Sequence, residues 1–361
     1  MTRKEFLQTM STAVASALIP SASGGAPASP SKVKRGVTLY SYQEEYYTHA
    51  MTLEDCLAEV ASMGAEGVEV IAEEMVPNYP DPPESWVKQW HGLFEKYHTK
   101  PVCLDTFVDT TWGGHRQMSL QESVDTLVTQ MKLCNRLGFK IMRPTTGPVA
   151  EGATEMIRKA LPFAEKHDVK IAVEIHAPIR LRSKFIDDYM ELISQTHTKH
   201  FGFTADMGIF AKRTPRVVRD FFIRHGAHEP IVQYLCTAFE QDLGPEKARA
   251  EVEKMGPNEL DRQFAFAVFG YGPLANDPQD LRHIMPYIYN IHGKFYEMLE
   301  DFREYSIPYE QIVPVLLEGG YNGYINSEYE GQRSTQDVVE TDSCEQVRRQ
   351  HVMLRRLLGE I

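Results

Sequence analysis

The chain is poor in cysteine, and its five thiols form no pattern: Cys56, Cys103, Cys134, Cys236 and Cys344 are scattered without a CxxC spacing. The odd number leaves at least one unpaired in any intramolecular scheme, so all five read as small hydrophobes. No basic run exceeds a few residues and the formal net charge is -12. Such a surface repels phosphate backbones and anionic lipid, which removes nucleic acid from the expected partners. No glycine-rich phosphate motif follows any strand-like run, and with it goes the usual argument for a nucleotide-binding fold. No segment is long enough to span a membrane. What remains is a chain of 361 residues with 42% apolar content, enough for one large α/β domain or two ordinary ones.

The N-terminus differs from everything after it. Arg3 and Lys4 precede an uncharged stretch from Phe6 to Pro20, then a tract rich in Ser, Ala, Gly and Pro that holds the cleavage-like triplet Ala26-Pro27-Ala28. Residues 1–33 therefore read as an export signal. The run Thr2-Arg3-Lys4-Glu5-Phe6-Leu7 resembles the twin-arginine pattern, with Lys4 where the second arginine belongs. Export to the periplasm is the expectation; a disordered, uncleaved tail on a cytoplasmic protein is the alternative.

From about Lys34 short apolar runs alternate with helical patterns. Eight strands are predicted: Val37 to Tyr42, Val68 to Ile71, Val102 to Asp105, Lys140 to Arg143, Ile171 to Glu174, Phe201 to Asp206, Tyr287 to His292 and Tyr324 to Glu328. Caps mark the helices between them: Thr52 before Leu53, Ser119 with Glu122 as a capping box, Ser343 with Gln346 before the last helix, and Gly138 and Gly359 at helix ends. Eight βα units with near-continuous apolar strands predict a (β/α)8 TIM barrel over residues 34–361, with a doubly wound open sheet as the competing fold.

Where the polar residues fall favours the barrel. Tyr42, Asp105, Arg143, Glu174, Asp206, His292 and Glu328 lie at or near strand C-termini, the rim where barrel enzymes place their chemistry. Three carboxylates and one imidazole from the last four strands, Glu174, Asp206, His292 and Glu328, make a divalent-metal site; without a cation they would be unpaired or mutually repelling groups. The step from Asp206 to His292 is 86 positions, against 32 from Glu174 to Asp206 and 36 from His292 to Glu328. The excess predicts a helical insertion between strands six and seven, about 211–285, with helices over Arg216 to Arg224 and Pro245 to Phe269 and a loop from Gly270 to Asp280. Inserted rim material acts as lid, substrate wall or subunit contact.

The order Glu, Asp, His, Glu on strands five to eight resembles the xylose-isomerase-like TIM barrel superfamily of sugar isomerases and epimerases. The opening GVTLYSYQEEYY, the stretch TLEDCLAEVASMGAEGVEVIAEEMVPNYP and the segment IHGKFYEM look most like the α subunits of bacterial C-glycoside deglycosidases. The resemblance implies that Glu174, Asp206, His292 and Glu328 are metal ligands, with Mn²⁺ the best match to an oxygen-rich set and Mg²⁺, Co²⁺ or Zn²⁺ as alternatives. It implies that His176 is a general base and Lys294 a substrate contact, against readings as a metal-supporting residue and a surface ion pair. Relatives that read Asp-x-x-His after strand six have a histidine where this chain has Ile209, which speaks against a multi-metal nuclease site.

Softer candidates are Arg143, as a clamp for a sugar hydroxyl or as the salt-bridge partner of Asp105 or Glu69, Tyr42 with Tyr40 in the first rim loop, and His115 in the loop Trp112 to Arg116. The expected reaction is proton abstraction beside a carbonyl. The leading version is a lyase: His176 takes the proton from a 3-oxo glycoside and the aglycone leaves by β-elimination, with Glu174 and Glu328 orienting the metal and sharing base duty. The alternative is a ketose isomerase or epimerase using Glu174 and Glu328 as opposed bases, and the third is a sugar-binding or partner subunit without catalysis. The resemblance also implies a small β-sandwich partner subunit; the chain's own state, a homo-oligomer included, stays open.

Overall fold

The computed structural model describes residues 32–108, 111–112, 116–145, 152–271, 276–339 and 342–361. The export-signal reading and His115 lie outside them. Eight parallel strands close into a barrel in strict chain order: β1 Lys34–Thr38, β2 Gly67–Ile71, β3 Lys100–Phe107, β4 Ile141–Thr145, β5 Lys170–Ile175, β6 Phe201–Asp206, β7 Ile288–Phe295 and β8 Tyr324–Tyr329. The open-sheet alternative is thereby excluded. Outer helices pack apolar faces on the strands; α1 Leu53–Ser62, for instance, buries Cys56, Leu57 and Val60 and opens on a capping box between Thr52 and Asp55. Ser119 and Glu122 form the capping box predicted for them. The last helix, Ser343–Leu357, is capped by Asp342, whose carboxylate accepts from the Glu345 N–H, and not by Ser343.

One strand boundary changes a functional reading. The first strand ends at Thr38, and Leu39–Tyr42 turns as a 3₁₀ helix. The two-residue alternation stops there, so Tyr42 swings into the wall between strands and helices, fully buried beside Cys56, Glu59 and Cys344. Tyr42 is a core residue and not the substrate contact expected.

Among its described residues the insertion has four helices of nine residues or more where two were expected: Arg216–Arg224, Glu229–Glu240, Pro245–Lys254 and Glu259–Ala267. The predicted span Pro245 to Phe269 is split because Asn258 and Asp261 start a new helix with their own capping box. These helices have a separate core of Val218, Ile231, Val232, Leu235, Phe239, Val252, Phe264 and Val268. They are tied to the rim loops after β7 and β8 by Arg216 with Glu297 and by Arg224 with Asp337.

The barrel interior is polar towards the rim. Inward positions on β7 are Asn290, His292 and Lys294, and on β8 Asn326 and Glu328, all buried. Gly36 on β1 makes room for this stack: a Cβ there would lie 2.0 Å from the Asn326 side-chain oxygen.

At the other end of β1, Arg35 is buried and donates from Nη1 to Nδ1 of His351 at 2.9 Å, while Nε2 of His351 lies 3.0 Å from the Ser327 hydroxyl. A guanidinium only donates, so Nδ1 must be unprotonated and the imidazole neutral. Burial first, and the Arg35 charge second, lower the His351 pKa from 6.5 to about 3. The unfolded chain therefore binds a proton that the folded one refuses. Stability is fully present above the unfolded pKa and is lost as pH falls from 6.5 towards about 3, with a slope on the order of 1.4 kcal/mol per pH unit from this one group. Denaturant titrations across that range should show a shallower acid loss in His351→Gln than in the parent; equal slopes would refute it.

Candidate metal centre and sugar site

Barrel closure brings the four predicted ligands together. Strand register pairs Asp206 with His292 and Lys294 with Glu328. One ligand atom from each of Glu174, Asp206, His292 and Glu328 lies within 4.8 Å of the others. His292 Nδ1 is 2.8 Å from Glu174 Oε1 and 3.4 Å from Glu328 Oε2. That Glu328 oxygen is buried and accepts no hydrogen bond.

Sequence reasoning missed the group that orients His292. Glu69, on β2 and wholly buried, takes the other ring nitrogen: His292 Nε2 donates to its Oε1 at 2.6 Å. The second Glu69 oxygen accepts from Asn290 at 2.9 Å and Asn326 at 2.6 Å. Nδ1, protonated here, donates to Glu174; on giving up that proton it would turn its lone pair to an ion while Nε2–H stays on Glu69, the arrangement that a metal-ligating imidazole needs. The available signal was Glu69 as a lone acid in the apolar run GVEVI.

Arg143 has the salt bridge that was the competing reading, to Asp105 at 2.9 Å and not to Glu69, and a second one to Glu174 at 3.3 Å. It also donates to the Thr145 hydroxyl and lines the cavity. Lys294 is buried rather than a surface residue, 2.9 Å from Glu330 and 3.3 Å from both Asp206 and Glu328. Glu330, the third carboxylate at this lysine, was not foreseen. Asp206 keeps one oxygen on the Gly208 N–H at 2.6 Å.

These contacts set the protonation pattern. Burial raises Asp206 above the usual carboxylate range and pushes Glu328 up to about 7. Burial would also raise Glu174, but Arg143 and His292 outweigh it and hold its carboxyl well below the usual range. For His292 burial works against charge, yet Glu328, Glu69 and Glu174 together raise its pKa well above 6.5. The field that holds a proton on this ring also favours a divalent cation. Six acidic side chains, Glu69, Asp105, Glu174, Asp206, Glu328 and Glu330, meet here against Arg143, Lys294 and one imidazole. The donor set, the surplus of negative charge and the unbonded Glu328 oxygen all fit a divalent metal.

A cavity of about 510 Å³ opens over this cluster, lined among others by Tyr40, Phe107, His176, Tyr296, Glu330 and Arg333. His176, one strand step beyond Glu174, has Nδ1 2.7 Å from the Ala177 carbonyl. A carbonyl only accepts, so Nδ1 carries the proton and Nε2 is the nitrogen left for a ligand. Tyr40 and not Tyr42 is the tyrosine of the first rim loop that reaches the cavity.

A closed (β/α)8 barrel with a carboxylate and imidazole cluster at its C-terminal rim defines the class. The chain belongs to the xylose isomerase-like TIM barrel family, whose model matches residues 57–245. Among curated proteins it is similar to the C-glycoside deglycosidase alpha subunit of Arthrobacter globiformis, 29% identical over 91% of this chain and 94% of that one. It is 28% identical to the 3'-dehydrocarminate deglycosidase alpha subunit of a Microbacterium species, over 90% of this chain and 95% of the relative. Among solved structures, the IOLI protein with a binding zinc atom superposes with a TM-score of 0.55 at 12% identity, covering 91% of this chain and 99% of that one. L-ribulose 3-epimerase superposes with a TM-score of 0.54 at 12% identity, covering 91% and 95%. Among the described residues no helix is long and apolar enough to cross a membrane.

The orientation of His292 supplies a test. Glu69→Gln keeps the shape but removes the charge that holds Nε2–H, and should weaken divalent-cation affinity by about tenfold or more. Competition with a chromogenic chelator would read it, with circular dichroism confirming the fold; unchanged affinity would show that Glu69 has no part in the centre.

Proposed function

We propose that this chain is a metal-dependent lyase acting on 3-oxo glycosides, releasing the aglycone by β-elimination as the catalytic subunit of a deglycosidase. The observation that carries the reading is His176: an imidazole at the cavity wall, its Nδ1–H tied to Ala177, beside a cluster fit to hold a cation. The similarity to deglycosidase alpha subunits over nine-tenths of the chain supports the substrate class.

Glu174, Asp206, His292 and Glu328 would hold the ion, Mn²⁺ by preference for an oxygen-rich set. When bound, the metal supplies electrophilic stabilisation of negative charge developing on a substrate oxygen. The chain's own groups do the rest. Nε2 of His176 takes the proton from the carbon beside the carbonyl. Arg143 holds Glu174 in place, and Glu69 holds His292. Lys294 offsets the charge of Asp206, Glu328 and Glu330 on the side formed by β6 to β8. Tyr40 follows β1, which lies across an eight-membered ring of strands from β5 and His176, so cavity walls of different chemistry face each other. The electron pair left at the deprotonated carbon forms the new double bond as the bond to the aglycone breaks, and the aglycone takes up one proton.

The names of the relatives as alpha subunits support a second subunit, which the resemblance implies is a small β-sandwich, and export remains part of the proposal for residues 1–33. A ketose isomerase or epimerase is the second reading, favoured by Glu174 and Glu328 reaching the same point from β5 and β8. Incubating metal-loaded protein, alone and with its co-expressed partner, with 3-oxo-glucosides and with free ketoses separates the two. Aglycone release is expected; solvent deuterium entering a ketose with no aglycone release would select the second reading. His176→Asn should lower kcat by roughly 10²–10⁴-fold with metal content unchanged; a variant at full rate would remove His176 from the mechanism.

A further inference from the structure

One wall of the cavity is neither part of the metal cluster nor explained by proton abstraction. The loops after β1, β2 and β8 contribute Gln43, Glu74 and Arg333. Gln43 is 7% exposed and both ends of its amide are used: Nε2 donates to Glu74 Oε2 at 2.7 Å, and Oε1 accepts from Arg333 Nη2 at 2.7 Å. Its orientation is therefore set at both ends. The Arg333 guanidinium lies over the Tyr40 ring, 5.2 Å from the centroid, and the Tyr47 hydroxyl adds a hydrogen bond to Glu74. Among the described residues neither Glu74 nor Arg333 makes an ion pair.

We propose that Glu74 and Arg333, spaced by the buried Gln43 amide, form a subsite for the hydroxyls of an unphosphorylated sugar ring remote from its reacting carbons. This rests on the 3-oxo glycoside reading. In such a hexoside, carbon 1 loses the aglycone, carbon 2 the proton and carbon 3 bears the carbonyl, so the hydroxyls left to recognise are those on carbons 4 and 6. A carboxylate accepts from one hydroxyl and a guanidinium donates to the next, the pairing a diol requires and a single charge cannot give. The intervening amide keeps the opposite charges from collapsing onto each other, so both retain unused hydrogen-bonding positions. A phosphate suits Arg333 alone, because Glu74 at the other end of the Gln43 amide repels a dianion placed between them. Gln43 is the positioning residue; Glu74 and Arg333 contact the ligand.

The test is calorimetric binding of a 3-oxo-glucoside, its 4-deoxy and 6-deoxy analogues and its 6-phosphate to the metal-loaded full chain and to Glu74→Gln, Arg333→Met and Gln43→Leu. In the parent, each deoxygenation should weaken binding by about tenfold, and the 6-phosphate should bind more weakly than the free sugar. Glu74→Gln and Arg333→Met should each bind the parent sugar about tenfold more weakly while losing little further on one of the two deoxy analogues, with thermal unfolding showing every variant folded. For Gln43→Leu, lost discrimination at both positions is expected. Overturning results are deoxygenation penalties that are equal in parent and variants, parent affinity retained in Glu74→Gln and Arg333→Met, or tighter binding of the 6-phosphate. Aglycone release is followed in parallel with the co-expressed partner present: binding that obeys the pattern with no release refutes the lyase reading while leaving the subsite, and release without the pattern does the reverse.

Discussion

The arrangement turns on an excess of buried negative charge. Glu69, Asp105, Glu174, Asp206, Glu328 and Glu330 converge on the inside and rim of the barrel. Arg143 and Lys294 are drawn in among them. Burial alone would strip such carboxylates of charge, and it does raise Asp206 and Glu328, whereas Glu174 stays ionised because Arg143 and His292 face it. A divalent cation is the one addition that compensates several of these groups together.

That constraint organises the layers beneath. His292 stands between Glu69 on one side and Glu174 and Glu328 on the other, and each ring nitrogen has its direction settled by an acid. Under it, Asn290 and Asn326 satisfy the remaining Glu69 oxygen, so both oxygens of this buried carboxylate are hydrogen-bonded. The same stack dictates Gly36, because any side chain there would collide with Asn326. Above it, the cavity divides into a wall with His176 and a wall with Gln43, Glu74 and Arg333, set by loops from opposite parts of the ring. The inserted helices bring their own core and meet the rim through the Arg216–Glu297 and Arg224–Asp337 ion pairs and through Val217, which packs against both cores.

The cluster of Glu174, Asp206, His292 and Glu328 and the insertion were legible because each announces itself locally, as a polar residue ending an apolar run or as a stretch too long for one βα unit. One strand was legible to the residue, β6 at Phe201–Asp206, whereas β1 stops at Thr38 and β3 and β7 run on to Phe107 and Phe295. Glu69 was hidden among apolar neighbours, since its partner lies 223 positions away. Tyr42 was misread because a 3₁₀ turn after Thr38 breaks the alternation on which its inward direction rested. Arg143 admitted two partners, and strand register chose Asp105 by placing the two side by side.

By itself, then, the order of residues determined the number of strands, their alternation with helices and the acids and imidazole at their ends, because period and capping act over a few neighbours. Which imidazole nitrogen faces the cluster, which tyrosine reaches the cavity and which amide links Glu74 to Arg333 were decided only when the sheet closed on itself. Closure sets side-chain directions between segments hundreds of residues apart, and no local pattern carries that information.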